Sequence, residues 1–221
     1  MGPAEKIKNI RLQIADCTKC KLHFSRRNVV PGEGPADSQI MFIGEAPGFY
    51  ENEQGLPFVG AAGKFLDELL EEAGMEREQV FITNVVKCRP PSNREPQEEE
   101  LDACRDFLEQ QIAAINPAVI VTLGRYSMGN YVKKGKISMI HGRPITVNGR
   151  LIVPMYHPAA ALHQPSLRSV LLEDFAKLPG MIMKAEEMHE NDIKINGPAQ
   201  FDNEEDGKVK RNNAQQLNLF D

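Results

Sequence analysis

No apolar run in this 221-residue sequence approaches the ~18 residues of a membrane span, so no transmembrane segment is expected. The N-terminus, MGPAEKIKNI, lacks an apolar signal core, which argues against export. Cysteine is scarce, with four in all, and without a secretion signal these read as reduced thiols of a cytoplasmic protein. No internal repeat is visible. Positive charge is also lacking, since the formal net charge is −5, which at first excludes an overall basic nucleic-acid binder. That charge is uneven, however. Nine of the 31 acidic and four of the 26 basic residues lie between Glu186 and Asp221, leaving 22 of each in residues 1–185. The acidity belongs to the tail and the core is neutral. Basic clusters in the core (Arg26-Arg27, Lys87/Arg89/Arg94, Lys133-Lys134-Lys136 and Arg143) stay open as phosphate contacts or as solvated loops.

The four cysteines fall as Cys17-x2-Cys20, then Cys88, then Cys104. A CxxC pair alone equally marks a redox dithiol. Two remote cysteines in polar, loop-like contexts complete a set of four thiolate ligands, and one centre using all four would tie the N-terminus to the middle of the fold. Soft thiolates suit zinc and iron–sulfur alike, and the spacing does not choose between them.

Four short apolar runs read as buried strands: Gln39–Gly44, Val80–Val86, Ala118–Gly124 and Leu151–Tyr156. Helical patterns alternate with them over Gly63–Ala73, Pro96–Ile115, Arg125–Tyr131 and Leu167–Leu178. Alternation of this kind implies an α/β fold, a three-layer α/β/α sandwich on a mostly parallel four-stranded sheet. Ligands of such sheets sit beyond the carboxyl ends of the strands. The loops to read are therefore Gly44–Gly48, the region of Asn84, Gly124-Arg125 and His157-Pro158. A carboxylate (Glu45), an amide, a cation and an imidazole are thereby expected on one edge, as a catalytic cleft.

The segments GEAPG (44–48), GLPFVGAAGKFLDELL (55–70), TNVVKCRPPSNREP (83–96) and HPAAAL (157–162), with the four-cysteine frame, resemble family-four uracil-DNA glycosylases. The resemblance runs from about Asp16 to Pro179. It implies a 4Fe–4S cluster held by Cys17, Cys20, Cys88 and Cys104 in a structural role, and a uracil-DNA glycosylase that starts base excision repair on uracil-containing DNA. It implies that Asn84 reads uracil, Phe58 stacks on the extruded base, and His157 hydrogen-bonds uracil O2. Backbone amides around Gly44, Glu45 and Ala46 would complete the pocket. The best-known branch of the superfamily has Gly-Gln-Asp-Pro-Tyr at this loop. Ala46 stands at the aspartate position and Gly48 at the tyrosine position, so the catalytic carboxylate falls to Glu45, and a backbone or Glu45 contact has to exclude thymine. Leu162 is expected as a minor-groove wedge, with Arg168, Lys87 and Arg94 on phosphates. Two rival readings are a covalent uracil-DNA trap through His141 and a non-catalytic DNA-binding module of the same fold.

Residues 186–214 are polar, acidic and Asn-rich and read as a disordered linker after a glycosylase domain over 1–185. Residues 215–221 close the chain, and Gln216-Leu217-Asn218-Leu219-Phe220 resembles the pentapeptide by which bacterial repair proteins bind the replication sliding clamp. Leu217, Leu219 and Phe220 would give it apolar contact and Gln216 an anchor. The expectation is a bacterial, nucleoid-associated monomer.

Overall fold

The computed structural model describes residues 1–185. The expected linker (186–214) and clamp-binding peptide (215–221) lie outside the described residues. Five strands form one sheet: β1 (Ile40–Gly44), β2 (Phe81–Asn84), β3 (Val119–Leu123), β4 (Ile145–Val147) and β5 (Arg150–Met155), in the order β2-β1-β3-β5-β4. All pairings are parallel except β4 with β5. The four expected strands are present, and β4 corrects the count to five. It escapes a reading of apolar runs because its three residues are all only half-buried at the sheet edge.

The strands are buried on both faces, yet their side chains still alternate with the period of two that a pleat imposes. Ile40 and Phe42 of β1, with Val119, Val121, Val153 and Met155, join one apolar cluster. Helix α3 (Ala61–Glu72) closes it with Phe65, Leu66, Leu69 and Leu70. Helix α8 (Ser166–Phe175) adds Leu171 and Phe175, and Phe175 stacks on Phe42 with ring centroids 5.9 Å apart. Met41, Ile43, Phe81, Ile120 and Ile152 point to the other face. There they meet α1 (Pro3–Ala15) through Ile7, Ile10 and Ile14, and α4 (Glu98–Ile115) through Phe107, Leu108 and Ile112. The result is the expected three-layer sandwich. Among the described residues no helix is long and apolar enough to cross a membrane.

Four further helices are short: α2 (Phe49–Gln54), α5 (Arg125–Gly129), α6 (Ile137–Ile140) and α7 (Pro158–His163). Two of them alter the sequence-based picture. The segment after His157 is not a loop but α7, with His157 as its N-cap and Pro158 in the first turn, where a missing N–H costs nothing. Cys104 is not in a loop context but on α4. That helix begins in a capping box, in which the Gln97 and Glu100 side chains reciprocally satisfy the first-turn amides.

Candidate active site

Strand order reverses beside β1, so a crevice opens beyond its carboxyl end. Register sets the first contact there, because Gly44 ends β1 directly opposite Asn84, which ends β2. The chain of β2 stays tied to this loop beyond the ladder, as Val85 N–H donates to the Gly44 carbonyl (3.0 Å) and Val86 N–H to that of Glu45 (3.1 Å). A Cβ added at Gly44 would lie 2.4 Å from Asn84 Oδ1 and within 2.8 Å of two Phe58 ring carbons. Only a glycine lets the amide and the ring approach the strand end so closely.

Phe58 is held from several sides. It has φ of 52°, a region that a bulky residue rarely occupies, so its surroundings must over-determine it. Gly63 in the first turn of α3 supplies one support, since a Cβ there would sit 1.9 Å from the Phe58 carbonyl oxygen. Glu51 supplies another, with its Oε1 accepting from the N–H groups of Val59 and Gly60 at 2.9 Å each, at the N-terminus of α3 where the helix dipole favours a carboxylate. Arg77 donates to the Pro57 carbonyl at 2.6 Å. Against the Phe58 ring lies the imidazole of His157, with centroids 5.5 Å apart and planes 24° from parallel.

His157 Nδ1 accepts the Ala159 N–H at 3.1 Å, the helix cap of α7. The residue as a whole keeps some surface, but crowding around the ring pulls its pKa down to about 4, with only a small opposing pull from Glu51. A neutral ring whose Nδ1 accepts must carry its proton on Nε2, so His157 offers a donor. Asn84 is 2 % exposed, and its Oδ1 is buried without a hydrogen-bond partner. Orphaned buried acceptors cost ~1–3 kcal/mol each. A ligand donor at that position would relieve the cost.

Glu45 is half-buried, and Ala46 beside it also keeps partial exposure. Burial pushes the Glu45 carboxyl up, the like charge of Glu95 adds to this, and Arg125 opposes it. Glu95 accepts from Tyr126 Oη at 2.6 Å and pairs with Arg125. Glu51, Glu95 and Tyr126 were not foreseen from the sequence. The glutamates are two among many, and although Glu95 falls within the 83–96 segment, nothing in the sequence marks it or Glu51 as facing the site.

The structure thus brings together Gly44, Glu45, Phe58, Asn84 and His157. It does not do the same for all the expected phosphate contacts. Lys87 is 1 % exposed and its amine is wholly engaged inside the protein, so the assignment of Lys87 to a DNA phosphate is corrected. Arg94 grips the buried Glu100 with two bonds of 2.8 and 2.6 Å and thereby braces the start of α4. Arg168 pairs with Glu68 and covers the Phe65 ring at 4.4 Å, although half of its side chain faces solvent. Leu162, on α7, is 48 % exposed. His141 Nδ1 bonds Asp174 Oδ2 at 2.6 Å and its ring lies 4.8 Å from that of Tyr156.

On the opposite side of the β2 end, Cys17, Cys20, Cys88 and Cys104 line a single cavity, walled also by Ile14, Phe107 and Lys87. Burial raises the Cys104 thiol to about 11 and moves Cys88 and Cys20 in the same direction. Arg26 donates to Cys88 Sγ at 3.4 Å and to the Cys17 carbonyl at 2.9 Å. Two buried thiols (Cys88, Cys104) and two half-buried ones (Cys17, Cys20), which a positive centre would hold as thiolates, fit a thiolate-bound metal group.

The family model of the uracil DNA glycosylase superfamily matches residues 31–177. The chain belongs to that superfamily. It is similar to a type-4 uracil-DNA glycosylase of Sulfurisphaera tokodaii, 48 % identical over 188 residues that cover 80 % of this chain and 84 % of the relative. A type-4 enzyme of Saccharolobus solfataricus is 50 % identical over 75 % of this chain and 82 % of its own. One from Thermotoga maritima is 48 % identical over 78 % and 92 %.

Gly44→Ala is expected to destabilise the fold by about 1–3 kcal/mol, the usual range for overpacking, because both Asn84 and Phe58 must give way. A denaturant midpoint unchanged from the parent would contradict the close approach. The His157 ring is expected to stay neutral in the folded protein until about pH 4, whereas an unfolded histidine titrates near 6.5. Between these values the unfolded chain binds more protons, so acidification must favour unfolding. Thermal melts from pH 6.5 to 4 should therefore fall more steeply for the parent than for His157→Asn, and equal slopes would refute the buried neutral ring.

Proposed function

We propose that this protein hydrolyses the N-glycosidic bond of deoxyuridine in DNA, releasing uracil and leaving an abasic site for base excision repair. The observation that carries the reading is the unpartnered Asn84 Oδ1 beside Phe58 and His157, in a chain about 48 % identical to type-4 uracil-DNA glycosylases. A duplex hides the scissile bond, so the base is extruded, at a cost of a few kcal/mol. Phe58 offers a face to the flipped ring. Asn84 accepts from uracil N3–H through Oδ1 and donates to O4, a pattern that cytosine reverses, leaving buried groups unpaired. As the C1′–N1 bond breaks, its electron pair goes to uracil and negative charge develops on O2. The neutral His157 donates from Nε2 to that oxygen, and a preorganised donor of this kind is worth ~2.7–4 kcal/mol. Glu45 acts as the carboxylate that orients water or stabilises the cationic sugar. Water adds hydroxide to C1′, and its proton ends on the departing base. Leu162 fills the vacated stack, and Arg168 and Arg94 meet phosphates after exchanging their present carboxylate partners.

Cys17, Cys20, Cys88 and Cys104 are proposed to hold a 4Fe–4S cluster. Their thiols line one cavity, and soft thiolates suit zinc and iron–sulfur alike, so the choice of a cluster rests on the resemblance to family-four uracil-DNA glycosylases. When bound, the group supplies a structural cross-link between α1, the β2 end and α4. Residues Gln216, Leu217, Leu219 and Phe220 are proposed to tether the enzyme to the bacterial sliding clamp, and the protein to act as a cytoplasmic, nucleoid-associated monomer.

A labelled uracil oligonucleotide should yield free uracil and an abasic strand of unchanged protein-free mobility on a denaturing gel. Asn84→Asp should lose uracil excision, and full activity would refute its role. A persistent shifted band would instead mark covalent trapping through His141. No uracil release at all would favour a non-catalytic DNA-binding module. Protein isolated anaerobically should carry about four irons per chain with visible absorbance, and Cys104→Ser should lose both and melt at lower temperature. Zinc at one per chain would overturn the cluster. Deleting residues 216–220 should abolish clamp affinity in a titration while uracil release from short oligonucleotides persists; unchanged affinity would end the tether proposal.

A further inference from the structure

Between the catalytic crevice and the cysteine cavity lies one buried polar knot that the reaction as described does not use. Lys87 Nζ is 2.7 Å from each of three oxygens: Thr83 Oγ1, the Asn84 main-chain carbonyl and Gln111 Oε1. Asn84 and Gln111 present these oxygens purely as acceptors. The Thr83 hydroxyl has two acceptors for its own proton, the Pro31 carbonyl at 3.2 Å and Gln111 Oε1 at 3.4 Å. Three acceptors match the three donors of an ammonium, a group with no acceptor of its own. Gln111 Nε2 in turn donates to the same Pro31 carbonyl at 2.6 Å. Thr83, Asn84, Lys87 and Gln111 are all buried, at 2 % exposure or less. The Lys87 carbonyl accepts from Val30 N–H at 2.8 Å, and the residue walls the cavity beside Cys88 and Cys104.

A buried amine is expensive to keep, since burial pulls the Lys87 pKa down to about 7, and an apolar residue of similar length would fill the same space at lower cost. What such a residue could not do is grip the peptide carbonyl of Asn84. That carbonyl belongs to the residue whose side-chain oxygen is left unpartnered in the crevice. We propose that Lys87 is a positioning residue for uracil recognition: it fixes the Asn84 peptide from behind and ties its aim to the wall of the four-cysteine cavity. The bonds run in one connected path, from α4 through Gln111 and Lys87 to the last residue of β2. The sequence-based expectation placed this lysine on DNA; the geometry gives it an inward task instead. The inference rests on the reading of Asn84 as the uracil-contacting amide.

The test is a double-mutant cycle of Lys87→Met and Asn84→Ala, read as single-turnover uracil excision rates on saturating uracil DNA. Iron content, visible absorbance and the thermal melt of each protein are recorded alongside. Losing the Lys87 bond and leaving the buried Asn84 carbonyl without it should slow excision roughly 10- to 100-fold. Affinity for abasic-site DNA should stay within about twofold, since no phosphate contact is removed. In the Asn84→Ala background, where there is no amide left to aim, the same substitution should cost less than threefold, roughly the limit within which independent effects are resolved. Equal losses in both backgrounds would overturn the inference and mark Lys87 as general scaffolding, as would a parent-like rate for the single variant. Asn84→Ala with undiminished excision would instead sink the reading of Asn84 itself. Gln111→Leu loosens the same ammonium without touching the cavity wall, and should show a smaller loss that also vanishes without the Asn84 amide. If Lys87→Met does not fold, that second cycle decides the matter by the same criterion.

Discussion

The parallel pairing of β1 with β2, which sets Gly44 opposite Asn84, is the constraint on which the rest of the site depends. Because Gly44 carries no side chain, the Asn84 amide and the Phe58 ring can occupy the space beyond the strand end. Phe58 in turn takes an unfavourable backbone conformation, which is tolerated because Gly63, Glu51 and Arg77 grip the segment around it. His157 then completes the wall by stacking on that ring. Displacing any one of these groups would disturb at least two others. A glycosylase site of this kind is rigid by construction, which suits chemistry that depends on preorganised donors.

A second feature is the separation of two chemically different compartments by the thickness of one strand end. In front lie the uncharged groups proposed to recognise a base; behind lie four thiols in a mostly apolar chamber. The residues from Thr83 to Cys88 belong to both. This stretch leaves the β-ladder after Asn84 yet keeps its amides bonded to Gly44 and Glu45. A structural cluster behind it would therefore brace the recognition face without meeting the substrate.

Much of this was legible in the sequence, for reasons that differ residue by residue. Strands β1, β2, β3 and β5 are Val- and Ile-rich runs buried on both sides, and such runs announce themselves. Helices α3, α4 and α8 show apolar periodicity and fell within a few residues of their expected bounds. Gly44, Glu45, Asn84 and His157 could be placed because they sit at the carboxyl ends of recognisable strands. Strand β4 is three half-buried residues long, too short for a pattern. Helix α1 places Ile7, Ile10 and Ile14 at i, i+3 and i+7, a helical signal that was legible although no helix was expected there. The segment His157-Pro158-Ala-Ala-Ala was read as a loop, although a proline in the first turn is itself a helix-start signal. Lys87 misled because a lysine among arginines looks solvated; only the tertiary fold shows three oxygens waiting inside. Glu51 and Glu95 owe their roles to partners that only the fold supplies, the α3 N-terminal amides for one and Tyr126 with Arg125 for the other.

The helix cap of α7 has a further chemical consequence. By accepting the Ala159 amide, the imidazole has spent its one available lone pair, and the remaining nitrogen already bears hydrogen. Such a ring can give a hydrogen bond but has no site left to take up a proton. Any deprotonation of the attacking nucleophile has to be borne by some other group, so helix architecture alone bars this histidine from general-base duty.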